Sequence, residues 1–303
     1  MELFVRVATV GAIGKAGAEL GLSRTAATER IRELETAVGA RLLHRTTRSV
    51  SLSVDGKVFL TRAKRILEDI DEAISELQSD PSTISGQLRI ASSASFGRKF
   101  LAPYVAEFLA LHPKLSVQLH LSDTTFDIVE NGFDLAVRLG ALAPSSLKAR
   151  CLGESARIVV AAPSYLERHG RPNTPSDLKD HNCLIRSDVR IWTSRNQDGL
   201  SEEIRVSGNY TTNLAEAVTE AALAGVGIAR KCKWEIAEFL ETGELVELLS
   251  EHTVLPEWRI YAVRPPSPSP PSRVEAFTDF IAHKLDKVPA LMRGCVSRDD
   301  RYE

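Results

Sequence analysis

At 303 residues the chain is long enough for two or more domains. Membrane and secreted classes are disfavoured, because no segment reaches ~18 apolar residues and no basic-then-apolar leader opens the N-terminus, so a cytoplasmic location is expected. The net charge of −2 hides an asymmetry: residues 1 to 65 hold twelve Lys and Arg against six Asp and Glu, a balance of +6, so the rest of the chain carries −8. A basic module on an acidic body is the footprint of nucleic-acid binding confined to one end.

The segment from Gly11 to Leu43 reads as a helix-turn-helix. A short helix ends at Gly21, which has no Cβ to oppose a left-handed conformation, and Ser23 stands where it caps the next helix. On that second helix Ala27, Ile31, Leu34 and Val38 form one apolar stripe that must pack on the first. The opposite face carries Arg24, Thr25, Thr28, Glu29 and Arg32, short hydroxyls and charges near a helix start, as readout of base edges in a major groove requires. An ordinary amphipathic helix with a solvated face has the same pattern, so the adjoining segment carries weight. Residues Arg41 to Ser53 alternate small polar and apolar around a basic turn, as a β-hairpin wing does, and Arg45, Thr46, Arg48 and Ser49 are placed to hold phosphates or reach the minor groove.

A long helix is predicted from Asp55, with Val58, Phe59, Ala63, Ile66, Leu67, Ile70, Ala73, Ile74 and Leu77 at three-and-four spacing. A seam of that length needs a partner. A second copy of the same helix is the economical one, a core of the following domain the alternative. Breakers and polar residues from Gln78 to Gly86 set a domain boundary near residue 86.

Strand-like and helix-like segments then alternate: strands at Leu88–Ala91, Leu115–Leu121 and Leu135–Leu139, a helix at Arg98–Leu111 and a brief one at Phe126–Asn131. The second half repeats the habit. Arg157–Ala162, Ile204–Gly208, Val226–Ala229 and Arg259–Val263 read as strands, a helix capped by Asn213 runs over Leu214–Ala224, and a last helix spans Arg273–Lys287 after a proline-rich connection. The alternation predicts an α/β fold with parallel strands. The polar tail from Pro289 to Glu303 reads as disordered.

Ala16 with Leu20, Leu22-Ser23, Ala26 to Thr28, Ile31, Leu34-Glu35, Gly39 to Leu43 and Arg45-Thr46 resemble the N-terminal domain of the LysR-type transcriptional regulators. The resemblance is dense over residues 3 to 79 and looser to about 287. It implies a winged helix-turn-helix at 1–55, a linker and dimerisation helix with its hinge at 56–87, and a two-lobed, Rossmann-like effector domain of the periplasmic-binding-protein type at 88–287. Lobe 1 would take 88–162 and 265–287, lobe 2 163–264, with the tail at 288–303. It also implies a dimer, or a tetramer, with two winged modules on a roughly palindromic site. The implied partners are double-stranded promoter DNA, a small-molecule effector, further copies of the chain and RNA polymerase, with no membrane.

Within the effector domain, Ser92 to Ser95 bring hydroxyls and free N–H groups to a helix start, a natural seat for a carboxylate or other anion. The resemblance gives Ser93 and Ser95 ligand-binding positions. Thr124 and Thr125 start the next helix in the same way, Arg138 closes a strand with a charge needing a partner, and Asn213 stands at a helix start in the other lobe. Simple capping explains the hydroxyls equally well, and an ion pair with Asp134 or Asp127 explains Arg138.

Four departures from the family pattern are expected to matter. Gly14 and Gly17 each predict up to ~1 kcal/mol of lost local stability. Glu29, where the family commonly has Arg or Lys, either accepts from a cytosine amino group or is held off the DNA by Arg32 or Arg30. Arg230, Lys231 and Lys233 stand where members more often have Leu or Pro; facing the cleft they imply a multiply anionic effector, facing solvent they imply nothing.

Catalysis is not expected. The seven histidines lack metal-ligand spacing, and no nucleophile elbow, phosphate loop or dinucleotide fingerprint is present, so neither metal nor cofactor is predicted. Cys151, Cys183, Cys232 and Cys295 form no close pair and read as free thiols.

Overall fold

The computed structural model describes residues 1–45, 50–78, 83–124, 127–195, 200–252 and 258–291. Contacts divide the chain into two compact units, Met1–Gly86 with Asp127–Gly132, and Gln87–Phe126 with Phe133–Glu303.

The first unit opens with α1 (Glu2–Val10), α2 (Ile13–Glu19) and α3 (Arg24–Val38), followed by a hairpin of β1 (Leu43–Arg45) and β2 (Val50–Leu52), and α4 (Val54–Gln78). Its core joins Leu3, Phe4 and Val7 of α1 to Ala16 of α2, Ala27 and Ile31 of α3, Leu42, Leu43 and Ala63. Val38, expected to complete the stripe of α3, is 41% exposed. It is the last helical residue, where Gly39 turns the chain at φ 72°, beyond the reach of the other helices.

Gly17 proves to be a packing requirement. A Cβ there would lie 2.6 Å from the Cβ of Ala27, so the missing methyl is what lets α2 and α3 approach. The propensity cost expected from the sequence is thus offset by closer burial. Gly56 plays the same part at the start of α4, where a Cβ would meet the Leu42 carbonyl at 2.0 Å. Farther along α4, Phe59 packs edge-on against Phe4 with ring centroids 5.4 Å apart, while Val58, Ile66 and Ile70 are exposed.

The second unit is α/β. It runs through β3 (Gly86–Ser92), α5 (Ala94–Phe96), a π-helical turn at Gly97–Leu101, α6 (Ala102–Leu111), β4 (Leu115–Leu121), β5 (Leu135–Leu139), β6 (Lys148–Ser155) and β7 (Arg157–Ala161). It continues through α7 (Pro163–His169), β8 (Ile185–Arg186), β9 (Ile191–Arg195), β10 (Ser201–Arg205), β11 (Thr211–Thr212) and α8 (Ala215–Leu223), then β12 (Ala229–Cys232), α9 (Lys233–Glu241), β13 (Val246–Leu248), β14 (Trp258–Arg264) and α10 (Ser272–Leu285).

Its two principal sheets each form one lobe: β4-β3-β5-β14-β6, and β12-β7-β13. Strands β3 and β5 are parallel as expected, but β14 runs antiparallel to both β5 and β6, and β7 runs antiparallel to both its neighbours. The departure from an all-parallel sheet has a topological cause. The chain leaves the first sheet through β6 and returns through β14, and strands running out and back pair antiparallel. The same pairing moves the lobe limits: β7, assigned from sequence to lobe 1, belongs to the second sheet, and β14, assigned to lobe 2, belongs to the first.

Three further readings change. Residues 128–132 form hydrogen-bonded turns, because the Asp127 carboxylate accepts from the N–H groups of Val129 and Glu130, and Gly132 takes φ 68°. Helix α8 is capped at Leu214, with Asn213 one residue too early. Cys183 and Cys232 are free and buried, but Cys151 is disulfide-bonded, its partner lying outside the described residues.

Candidate functional site

The helix-turn-helix is built around one close crossing. Gly21 at φ 70° turns the chain after α2, the N–H of Leu22 donates back to the Gly17 carbonyl at 2.8 Å, and the Ser23 hydroxyl accepts from the N–H of Ala26 at 3.2 Å to start α3. With Ala27 and Ile31 buried, Arg24, Thr25, Glu29 and Arg32 are exposed and Thr28 half-buried. Thr28 returns its hydroxyl to the Arg24 carbonyl at 2.8 Å. Arg32 Nε lies 3.8 Å from Glu29 Oε1, both well exposed, so that contact is a weak, screened pair that leaves both groups in solvent.

The wing is tied to α3 by Glu35, whose Oε1 accepts from the N–H groups of Leu42 at 2.9 Å and Leu43 at 3.1 Å. Strands β1 and β2 pair from Leu43↔Leu52 to Arg45↔Val50. Thr46, Arg48 and Ser49 lie outside the described residues, as does the side chain of Arg45.

In the second unit the expected anion seat is already filled by the chain's own acids. Asp123 accepts from the N–H of Ala94, the first residue of α5, and from the N–H of Ala215, the first residue of α8, each at 2.9 Å. One carboxylate therefore serves helix starts in both lobes. Ser95, 8% exposed, donates to Glu235 Oε1 at 3.1 Å, and Glu235 Oε2 lies 3.1 Å from Lys231 Nζ and accepts from the N–H of Cys232. Lys231 is 3% exposed and also donates to the Ala215 carbonyl at 2.7 Å. Arg98 Nε donates to Glu216 at 2.7 Å, which pushes the Arg98 pKa up. Beneath these polar links Phe96 and Phe100 pack on Trp234 of α9 with centroids 5.3 and 5.5 Å apart.

Of the remaining candidates, Ser93 caps α5 without a side-chain bond, and Thr124 is exposed, its hydroxyl 2.7 Å from that of Ser122. Arg138 is half-buried on β5 opposite Tyr261, Asn213 is exposed, and Thr125 lies outside the described residues. Asp123, Glu235 and Glu216 went unnoticed in the sequence. Their links to Ala215, Arg98 and Ser95 span 92, 118 and 140 positions, and only the contacts of Glu235 with Lys231 and Cys232 are local.

The three basic residues after α8 have separate fates. Lys233 is exposed, Lys231 is buried and paired, and Arg230 is half-buried with Nε and Nη1 out of solvent and without a hydrogen-bond partner among the described residues. Burial and the neighbouring Arg157 bring the Arg230 pKa down to about 9. Burial pushes the Cys183 and Cys232 thiols up to about 12, which keeps both neutral at physiological pH. Among the described residues no group of three or more His, Cys, Asp or Glu is placed to hold a metal, and no helix is long and apolar enough to cross a membrane.

Two family models match the chain: the bacterial regulatory helix-turn-helix protein, lysR family, over residues 1–57, and the LysR substrate binding domain over residues 81–286. The chain is 33% identical to the HTH-type transcriptional regulator DmlR of Escherichia coli, over 87% of each protein. It is 34% identical to an HTH-type transcriptional regulator of Xanthomonas campestris, over 98% of this chain and 88% of that one. Among solved structures it is similar to CrgA, a LysR-type transcriptional regulator from Neisseria meningitidis, at TM-score 0.62 and 29% identity over 93% of this chain and 97% of that one. The full-length Vibrio cholerae virulence activator AphB matches at TM-score 0.62 and 27% identity, over the same shares.

Proposed function

Because the chain belongs to the LysR family of DNA-binding transcriptional regulators, we propose that it reads promoter DNA through Ser23, Arg24, Thr25, Thr28, Glu29 and Arg32 of α3 and its cap, with Arg45, Thr46, Arg48 and Ser49 of the wing on the backbone and minor groove. The observation that carries this reading is the division of α3: Ala27 and Ile31 are sealed in the core while Arg24, Thr25, Glu29 and Arg32 stand in solvent at the helix start. In this reading DNA binding belongs to residues 1–55, dimerisation to 56–87 and effector control to 88–287. Exposed Val58, Ile66 and Ile70 on α4 support pairing with a second copy. We place the protein in the cytoplasm, with RNA polymerase as its downstream contact.

We further propose control through residues 88–287 by a small anionic molecule; of the residues expected to meet it, Ser95 is engaged by Glu235 and the helix start at Ser93 faces Asp123, which leaves Thr124, Thr125, Arg138 and Asn213 as the remaining candidates. Asp123 supports a two-state junction, since its bonds to Ala94 and Ala215 hold one arrangement of the lobes. An effector shifts that balance only by binding one arrangement more tightly than the other. Selection from a random duplex pool tests the DNA half of the proposal. A two-fold related motif is expected, and Thr25→Ala or Arg32→Ala should relax one position of it by about 1–3 kcal/mol if that side chain reads a base. Recovery of no motif from the wild type would reject the reading.

A further inference from the structure

We propose that Arg157 and Arg230, with Arg186 at the rim, form a seat in the second lobe for a small multivalent oxyanion, beside Trp258 at the start of the returning strand β14. The inference rests on the reading that the C-terminal unit takes an effector, and it moves the anion away from the helix starts, where Asp123 already stands.

The sheet register brings the arginines together. On β12 and β7, Cys232 faces Arg157 and Arg230 faces Val159, so Arg157 and Arg230 lie on one face of the sheet as a diagonal cross-strand pair, a spacing of about 7–8 Å. The Arg157 guanidinium lies over the Trp258 ring, 4.4 Å from its centroid. Arg186, exposed on β8, is close enough for its charge to act on Arg157.

What the group lacks, among the described residues, is an anion of its own. Arg230 Nε and Nη1 are buried there without a hydrogen-bond partner, whereas the adjacent Lys231 has both Glu235 and the Ala215 carbonyl. The nearby Glu235 is engaged by Lys231, Ser95 and the N–H of Cys232, and the Cys232 thiol is uncharged. Buried donors left unpaired are rare, and like charges held together on one sheet face repel. Both conditions are relieved by one ligand whose oxygens meet the planar forks of two or three guanidiniums. Neutralising that many cations calls for a charge of at least two, in a di- or tricarboxylate or in a phosphate or sulfate group.

The test uses the full-length protein, read by thermal shift and tryptophan emission. Inorganic phosphate, sulfate, malonate and citrate are titrated against chloride at matched ionic strength, with acetate as the monovalent control. Wild type should show a saturable rise in Tm with at least one multivalent anion and none with acetate, and the active set separates carboxylate from phosphate or sulfate chemistry. Arg230→Leu should weaken that response at least about tenfold while its Tm without anion stays at or above that of wild type, since it removes an unpaired buried cation. Arg186→Ala, an exposed position that leaves folding untouched, should weaken it less. A response retained in full by Arg230→Leu overturns the seat and leaves the effector reading standing. No response of the wild type to any of the four anions also overturns the seat, and the effector reading is then judged by whether monovalent or uncharged metabolites raise Tm.

Discussion

Two helix starts in this molecule look alike in sequence and behave in opposite ways. Ser23 ahead of α3 and Ser93 ahead of α5 are both hydroxyl residues that precede a mixed polar and apolar segment. At α3 the adjoining residues Arg24, Thr25, Glu29 and Arg32 stay in solvent, and their mutual ion pair is long and exposed. At α5 the free N–H of Ala94 and the hydroxyl of Ser95 are taken by Asp123 and Glu235, acids supplied from distant parts of the chain. A helix start is therefore an interaction site only where the fold brings no internal partner to it. That distinction separates a surface kept for an outside molecule from a junction that holds two lobes in place.

Breaking the junction should have the largest effect. Lys231→Met leaves Glu235 as an uncompensated charge at a site where the pair is 3% and 10% exposed, so a loss of about 3–5 kcal/mol is expected in urea unfolding of the C-terminal unit. A change under about 1 kcal/mol would mean that the junction is wetter than its geometry implies.

Gly17→Ala should come next, acting on the crossing of α2 and α3 and leaving the lobes alone. The added methyl meets Ala27 at 2.6 Å, and overpacking of about 1–3 kcal/mol outweighs the gain of up to ~1 kcal/mol in helix propensity. Loss of DNA affinity with unchanged stability of the C-terminal unit is the expected signature; a stabilised variant would show that the two helices can move apart freely.

The smallest effect is expected at the open face itself. Arg24→Ala should leave the melting temperature nearly unchanged and reduce the salt slope of DNA binding by about one unit if its guanidinium neutralises a phosphate. An unaltered slope removes Arg24 from the contact surface and narrows the contrast to Thr25, Glu29 and Arg32.

Much of the architecture was legible because it rests on local pattern. The three-and-four spacing from Asp55 gave a long helix that the structure places at Val54–Gln78, and strands β4 and β5 fall on the limits read from their apolar runs. Among the elements missed are helices α7 and α9 and strands β6, β8, β9, β11 and β13. Strand β6 is exposed over its first half and reads as a loop, and α9 follows β12 with no breaker between them. At the candidate site, the polar face of α3 could be read directly, since a face is a property of one helix. The role of Ser95 could not, because it depends on Glu235, 140 positions away.

By itself, then, the sequence determined the family, the helix-turn-helix with its sorted faces, and the order of domains, all carried by spacings within a few turns of chain. The tertiary structure alone decided that Gly17 is needed for contact, that β14 returns to the first sheet, that Asp123 fills the helix starts and that Arg230, among the described residues, has no acid bonded to it. The physical reason is range: periodicity and capping act over a handful of residues, whereas burial, register and charge pairing are settled between residues that meet only after the chain has folded.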